Sequence, residues 1–396
     1  MAQENLSRKF NELEQSEKQY HLQVFGRYPV AIEHGKGCYV WDFAGKKYID
    51  MIGAIATCSV GHGNKEVVKA ITEQAKKVIT TTNLYYTEPQ LLLAKKLAEI
   101  SGLQKSFFTN SGSEANETAI KIAIKYTKKH EFICAINCFH GRTLGALSAT
   151  WKPKFKKPFE PLLEKFIFVE YNNADAVENA ITENTAAVMI EPIQGEGGVI
   201  VPDAGYLKKL REICDRRNIL MIVDEVQSGT GKTGKFFAYQ HSGILPDIVT
   251  VAKGIANGVP LGATIVSEKV AACMEKGDHG CTFGGNPLAC SSALATIKYI
   301  EDNNLMHNAS EVGKYLLKVL AAIKHRYIKE VRGLGLMLSI EVTDKCKEIV
   351  LKLHEFGLLC AQTSDVNIRF LPALILTKKD ADKAVKIIKK VLKEFK

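Results

Sequence analysis

Nowhere in the 396 residues does an apolar run approach the roughly 20 residues that a membrane-spanning helix needs, so no bilayer span is expected. The opening M-A-Q-E-N-L-S-R-K-F-N-E-L-E-Q lacks the apolar stretch of a secretion signal. Internal repeats, low-complexity tracts and long linkers are missing as well. Together with 46% hydrophobic and 24% charged residues, this excludes collagenous, coiled-coil and disordered chains. A large excess of one charge is absent: 53 basic against 43 acidic side chains leave a formal +10, spread along the chain. The densest basic stretches, Lys152 to Lys157 and the C-terminal helix, read as solvated faces, so no nucleic-acid partner is expected. The ten cysteines include no second pair at zinc-finger distance from Cys134 and Cys138, and no metal site is expected. With no export signal the thiols are expected to stay reduced, which implies a cytoplasmic location.

What is present suits two or three domains, at about 150 residues each. Residues 1–60 read as a short polar helix and strand-like pieces punctuated by Gly35, Gly37, Gly45 and Gly53. From about Gly61, helices alternate with short apolar strands. One helix stripes Val67, Ile71, Ala75 and Val78. Another opens on Thr87-Glu88-Pro89-Gln90, a capping box with proline in its first turn, ahead of Leu93, Leu97 and Ile100. From about Ser291 the pattern becomes a helix, a glycine-rich turn into a strand over Val331 to Val342, and more helices. The last helix opens on Thr377 to Asp380 and aligns Ala384, Ile388, Val391 and Phe395. The expected division is a large domain over 61–290 and a small α+β domain over 291–396, the latter packed with the N-terminal segment 1–60.

Three short apolar runs at the centre each stop on a charged residue. They are A-V-M-I-E ending at Glu191, L-M-I-V-D ending at Asp224, and I-V-T-V-A-K ending at Lys253. The charged ends lie 33 and 29 residues apart, the length of a strand–helix–strand unit. Between the first two runs, Leu207, Leu210 and Cys214 mark one side of a helix. Continuous apolar runs suit strands covered on both faces, hence an α/β fold with a mostly parallel sheet. Ligands of such sheets sit at the carboxyl ends of the strands, where these three charges fall.

Lys253 is either one more solvated lysine or an amine whose burial lowers its pKa, and a neutral amine can form a Schiff base with an aldehyde. Asp224 is either half of an ion pair or the carboxylate that keeps a pyridine nitrogen protonated, as pyridoxal phosphate requires. Thr109-Asn110-Ser111-Gly112-Ser113-Glu114 opens a helix with Ala119, Ile120, Ala123 and Ile124. Its start offers backbone N–H groups to a phosphate, though Ser111 with Glu114 also matches a simple capping box. A rival signal is Ser228-Gly229-Thr230-Gly231-Lys232-Thr233, which resembles a phosphate-binding loop of nucleotide hydrolases. Val226 stands where that loop needs its first glycine, and no long helix follows.

Taken in order, N-L-Y-Y-T-E-P-Q, N-S-G-S-E-A-N-E, F-H-G-R-T, E-P-I-Q-G-E-G-G, D-E-V-Q-S-G and A-K-G-I-A-N-G-V-P-L-G-A resemble the class-III aminotransferases. These are pyridoxal-phosphate enzymes of fold type I, and the acetylornithine-specific branch is the most similar. The resemblance runs from near residue 25 to near residue 370. It implies that Lys253 bonds to the cofactor aldehyde and shuttles the proton, and that Asp224 pairs with the ring nitrogen. Gln227 would contact the ring oxygen, and Phe139 and Val226 would sandwich the ring. Gly112 and Ser113 would hold the phosphate with Thr282, which in this family reaches across from a second subunit, implying a homodimer with shared sites. Arg142 would bind the α-carboxylate of an acylated donor and Arg369 that of glutamate. Glu196 would cover Arg369 while the ω-amino donor is bound. The implied substrates are thus an acylated ω-amino acid and 2-oxoglutarate or glutamate, with 4-aminobutyrate, succinyl-diaminopimelate, an acylated lysine and ornithine as alternative donors. Four departures bear on that choice. Phe25 replaces a tyrosine at the pocket entrance, Cys281 stands where a serine is usual, and Ile55 takes the place of the tyrosine of ornithine enzymes. G-H-G-N-K at Gly61 to Lys65 replaces G-H-x-H-P.

Overall fold

Seven short segments, most of them apolar, pair into one sheet: β1 (Lys105–Thr109), β2 (Glu131–Ala135), β3 (Phe166–Val169), β4 (Thr185–Ile190), β5 (Leu220–Asp224), β6 (Ile248–Val251) and β7 (Gly262–Val266). The computed structural model describes residues 2–395, with only the backbone for residues 2–8. The spatial order is β1-β7-β6-β5-β4-β2-β3. From β6 to β3 all pairings are parallel, and β7 runs antiparallel to β6 and β1. Every residue of β4, β5 and β6 is buried, which is why these runs are apolar throughout rather than alternating. The registers Ile190↔Val223 and Asp224↔Thr250 bring the three charged ends to one edge.

Helix α1 (Gly112–Thr127) follows β1 and buries Ala119, Ile120 and Ala123. Helix α2 (Tyr206–Arg217) bridges β4 and β5 and buries Leu207, Leu210 and Cys214, as its spacing implied. Two smaller sheets flank this layer. One joins Ile32–Lys36, Tyr39–Asp42 and Lys47–Asp50 to Leu358–Leu359 from the far end of the chain. The other is antiparallel, ordered Ile328–Leu334, Met337–Val342, Asn367–Phe370 and Ala361–Thr363. Cys38, Ile49 and Met51 share a core with Leu316, Leu338 and Ile388, so the two ends of the chain bury their apolar faces against each other.

Several local expectations need correction. The single strand over Val331 to Val342 is a hairpin, folded at Gly335, whose φ of 58° suits glycine. The Thr87 capping box does not form; Thr87 Oγ1 is buried without a partner, and the helix begins at Glu88, with Pro89 in its first turn, without help from a side chain. The helix expected near Ser291 begins at Pro287, capped by Asn286. On the Lys65–Lys77 helix, Val67 and Gln74 are buried while Ala75 and Val78 are exposed. Gln74 tolerates burial because its amide donates to Val78 O and accepts from Ser291 Oγ. The altered G-H-G-N-K stretch has a physical role, since Asn64 caps this helix through the N–H groups of Glu66 and Val67. Among the described residues no helix is long and apolar enough to cross a membrane.

Candidate active site

The carboxyl edge of β4, β5 and β6 opens into a cavity of about 190 Å³ whose wall includes Asp224, Lys253, Glu191, Phe139, Val226 and Gln227. The start of α1 forms another part of that wall, through Ser111, Gly112 and Ser113. Ser111 Oγ caps Glu114 N–H, and the first bond within the helix runs from Ala115 N–H to Ser111 O. The N–H groups of Gly112 and Ser113 are therefore the ones the helix does not use, at the positive end of its dipole. The capping box and the anion site thus coexist. A Cβ at Gly112 would lie 2.6 Å from Val226 Cγ1, so a side chain there would displace that wall of the cavity.

Lys253 sits two residues past β6 in the left-handed region, with φ 49°. Such strain in a lysine persists only where surrounding structure imposes it. The adjoining Gly254 leaves no room for a side chain: a Cβ would come within 2.1 Å of Ser59 Oγ and 2.8 Å of Ala56 O. Desolvation lowers the Lys253 pKa, against the pull of Glu196 and Asp224, which favour the charged form. The site therefore holds its amine closer to neutrality than an exposed lysine.

Asp224 is buried and bonded on both oxygens. His140 Nδ1 and Asn116 Nδ2 each donate to Oδ2 at 2.8 Å, and Val226 N–H donates to Oδ1 at 3.0 Å. Burial works against a charge on His140, but Cys138 and the Asp224 carboxylate prevail and raise its pKa well above the usual value. Glu191 accepts from Phe139 N–H and Gly195 N–H, tying the loop after β2 to the loop after β4. Desolvation pushes its carboxyl up to about 7.

Arg369 is 2% exposed, and its Nη1 donates to Glu196 Oε1 at 2.5 Å and to Gln227 Oε1 at 3.1 Å. Burial would raise the Glu196 pKa, yet Arg369 outweighs it and holds the carboxyl below its ordinary range. Arg142 is exposed, its guanidinium 3.5 Å from the Phe155 ring centre. Burial of its stem lowers its pKa, against Glu196. Phe139, Phe155, Glu196 and Tyr28 also line a larger cleft of about 690 Å³ beside the small cavity.

The structure brings together Lys253, Asp224, Gly112, Ser113, Phe139, Val226 and Gln227, with the Glu196–Arg369 pair beside them. Four residues fall elsewhere, among them Arg142, which lines neither the cavity nor the cleft. Thr282 is exposed, and Cys281 contacts Asn110 Nδ2 through its sulfur at 3.2 Å; neither lines the cavity. Phe25 is 64% exposed and lines neither cavity, while Tyr28 lines the larger cleft. Sequence reasoning missed His140, Asn116 and Tyr28, although His140 lies in F-H-G-R-T and Asn116 in N-S-G-S-E-A-N-E. Lys232 of the hydrolase-like loop is buried, and its amine donates to Pro372 O at 2.7 Å, which keeps it from any phosphate.

Comparison with known proteins agrees with this geometry. The family model of class-III aminotransferases matches residues 23–392, and the chain belongs to that family. It is 50% identical to the acetylornithine aminotransferase of Methanocaldococcus jannaschii over 96% of this chain and 98% of the other. The corresponding enzyme of Archaeoglobus fulgidus is 47% identical over 94% and 98%. Among solved structures, the ornithine aminotransferase of Toxoplasma gondii superposes with a TM-score of 0.94 at 34% identity, covering 97% of this chain and 94% of that one. The acetylornithine aminotransferase of Elizabethkingia anophelis gives 0.87 at 32%, covering 98% and 99%. The protein is a pyridoxal-phosphate-dependent transaminase of fold type I. Its residues fit that cofactor: an amine, a buried carboxylate and a helix N-terminus share one cavity, with no side chain at position 112 to block it.

Proposed function

We propose that the chain transfers the ω-amino group of N2-acetyl-L-ornithine to 2-oxoglutarate, giving N-acetyl-L-glutamate 5-semialdehyde and L-glutamate, a step of arginine biosynthesis. Bound pyridoxal 5'-phosphate supplies an electrophilic aldehyde and an electron sink. Lys253 Nζ would hold that aldehyde until the donor's amine takes its place and, once released, would take the proton from the reacting substrate carbon and return it. Asp224 would keep the ring nitrogen protonated, Gln227 would meet the ring oxygen, Phe139 and Val226 would hold the ring faces, and Gly112 and Ser113 would hold the phosphate.

The observation that carries the substrate reading is the state of the two guanidiniums. Arg369 is already neutralised by Glu196 at 2.5 Å, while Arg142 is exposed and supported by Phe155. A donor with one carboxylate and a distant amine needs one guanidinium, here Arg142. Glutamate has two carboxylates and needs both, once Glu196 swings away. The names of the relatives support acetylornithine among donors of this shape.

The residue boundaries 1–60, 61–290 and 291–396 are proposed on the shared core of the two chain ends. A cytoplasmic homodimer is likewise proposed. Leu84, Tyr85, Tyr86 and Phe283 are all exposed, near the hydrogen bonds from Asn83 to Cys281 O and Gly284 O, and would be covered by a second subunit. The deciding experiment measures kcat/KM with 2-oxoglutarate for N2-acetyl-L-ornithine, 4-aminobutyrate, succinyl-diaminopimelate, acylated lysine and ornithine. The acetylated donor is expected to lead by at least about 10-fold, the discrimination that roughly 1.4 kcal/mol supplies. A clear preference for 4-aminobutyrate overturns the donor and leaves the class standing.

A further inference from the structure

Asn116 lies in the second turn of α1 and is 1% exposed. Its amide has two N–H donors, and both are taken: by His140 O at 2.6 Å and by Asp224 Oδ2 at 2.8 Å. Its Oδ1 accepts from Thr250 Oγ1 at 2.7 Å. Thr250 is the residue of β6 that stands opposite Asp224 of β5, so the amide spans two neighbouring strands. Its orientation is settled by its partners. Turned over, Oδ1 would face a carbonyl oxygen and a carboxylate, and the amide nitrogen would face the Thr250 hydroxyl.

The consequence falls on Asp224. A carboxylate offers about four lone-pair directions. Oδ2 spends two, on Asn116 and His140, and Oδ1 spends one on Val226 N–H. One acceptor direction remains, on Oδ1, in a side chain that borders the cavity. Without Asn116 the carboxylate would keep one bond on each oxygen, from His140 on Oδ2 and Val226 N–H on Oδ1. The second bond to Oδ2 narrows the rotation those two still allow.

We propose that Asn116, locked by Thr250 and the His140 carbonyl, is a positioning residue that sets the rotation of the Asp224 carboxylate so that its last free acceptor meets the cofactor's ring N–H. The inference rests on the assignment of Asp224 to that nitrogen. A buried hydrogen bond to a charged group fixes the expected size of the effect at roughly 10-fold in affinity.

The test is equilibrium binding to apoprotein, read by absorbance and tryptophan fluorescence, of pyridoxal 5'-phosphate and of its 1-deaza analogue, which carries C–H in place of the ring nitrogen. Wild type, Asn116→Ala, Asn116→Ser and Thr250→Val are compared, with urea unfolding of each apoprotein alongside. Wild type is expected to favour pyridoxal 5'-phosphate over the analogue by about 10-fold or more. Asn116→Ala and Asn116→Ser should lose most of that preference while binding the analogue as wild type does, and Thr250→Val should lose part of it. Equal losses for both ligands mean that Asn116 only supports the fold, which overturns the proposal, as does an undiminished preference. A wild type that does not distinguish the ligands overturns the assignment of Asp224 itself. Should the Asn116 variants not fold, the Thr250→Val preference decides alone.

Discussion

At the scale of single residues, the site is a set of charges held in unequal states by their surroundings. Arg369 and Glu196 are the sharpest case, since one bond of 2.5 Å decides whether Arg369 is open to a second carboxylate. Replacing Glu196 by alanine leaves Arg369 uncovered beside Gln227. Glutamate and 2-oxoglutarate should then bind about 10-fold more tightly, so the preference for the acylated donor over glutamate should fall by about 10-fold. Stopped-flow measurement of the two half-reactions separately checks this; unchanged discrimination would remove Glu196 from the mechanism. The pH dependence has a definite sign. Arg369 depresses the Glu196 pKa, so the pair persists above the ordinary carboxylate range and opens only as pH falls through the lowered value. Donor discrimination should therefore be flat across neutral pH. Lys253, Asp224 and Glu191 were legible in the sequence because each ends an apolar run, and a charge after four or five buried residues is a local signal. Asn116 and Thr250 lie in quoted stretches, but their role was not legible there, since it depends on contacts 108 and 134 positions apart along the chain.

At the scale of elements, the strained piece is the turn Gly53–Ala56. Ala54, Ile55 and Ala56 all have positive φ, at 50°, 57° and 65°, forming a left-handed turn that costs roughly 1–2 kcal/mol per residue. Asp50 holds its start by accepting from Ile52 N–H and Gly53 N–H, and His62 Nε2 donates to the same carboxylate at 2.8 Å. That bond, with help from Cys58, raises the His62 pKa to about 10 and keeps the clamp charged at neutral pH. The turn ends on Ala56 O, which crowds Gly254 beside Lys253. Ala54 is exposed, so Ala54→Gly should relieve strain at little cost in contacts, raising the unfolding free energy by about 1 kcal/mol. Urea unfolding of the apoprotein measures it; a fall in midpoint would show that the turn needs its Cβ. Turns of this kind are illegible in sequence, because A-I-A at 54–56 reads as ordinary helix. The parallel strands were legible for the opposite reason, as burial on both faces writes itself directly into β4, β5 and β6. The Thr87 box shows the limit of local motifs: the residues match the pattern, but the chain enters the helix at an angle that leaves the hydroxyl unbonded.

At the scale of the whole molecule, one protomer places Lys253 in the cavity and Thr282 on an exposed loop outside it. If Thr282 serves the phosphate of a neighbouring subunit, a site is assembled from two chains, and two different defects can compensate. Lys253→Ala removes the amine from the chain's own site, and Thr282→Asp sets a carboxylate against the phosphate of its partner's site. Each variant alone should be inactive. In a mixed dimer, one site combines the intact Lys253 of one chain with the intact Thr282 of the other, and the second site carries both defects. Random re-pairing makes half of the dimers mixed, each with one working site of two, so a denatured and refolded equimolar mixture should recover about a quarter of wild-type activity. Self-contained sites predict no recovery at all. The outcome also separates two roles for the apolar surface at Leu84, Tyr85 and Tyr86: were it covered only by a passive contact, mixed dimers would form and remain inactive.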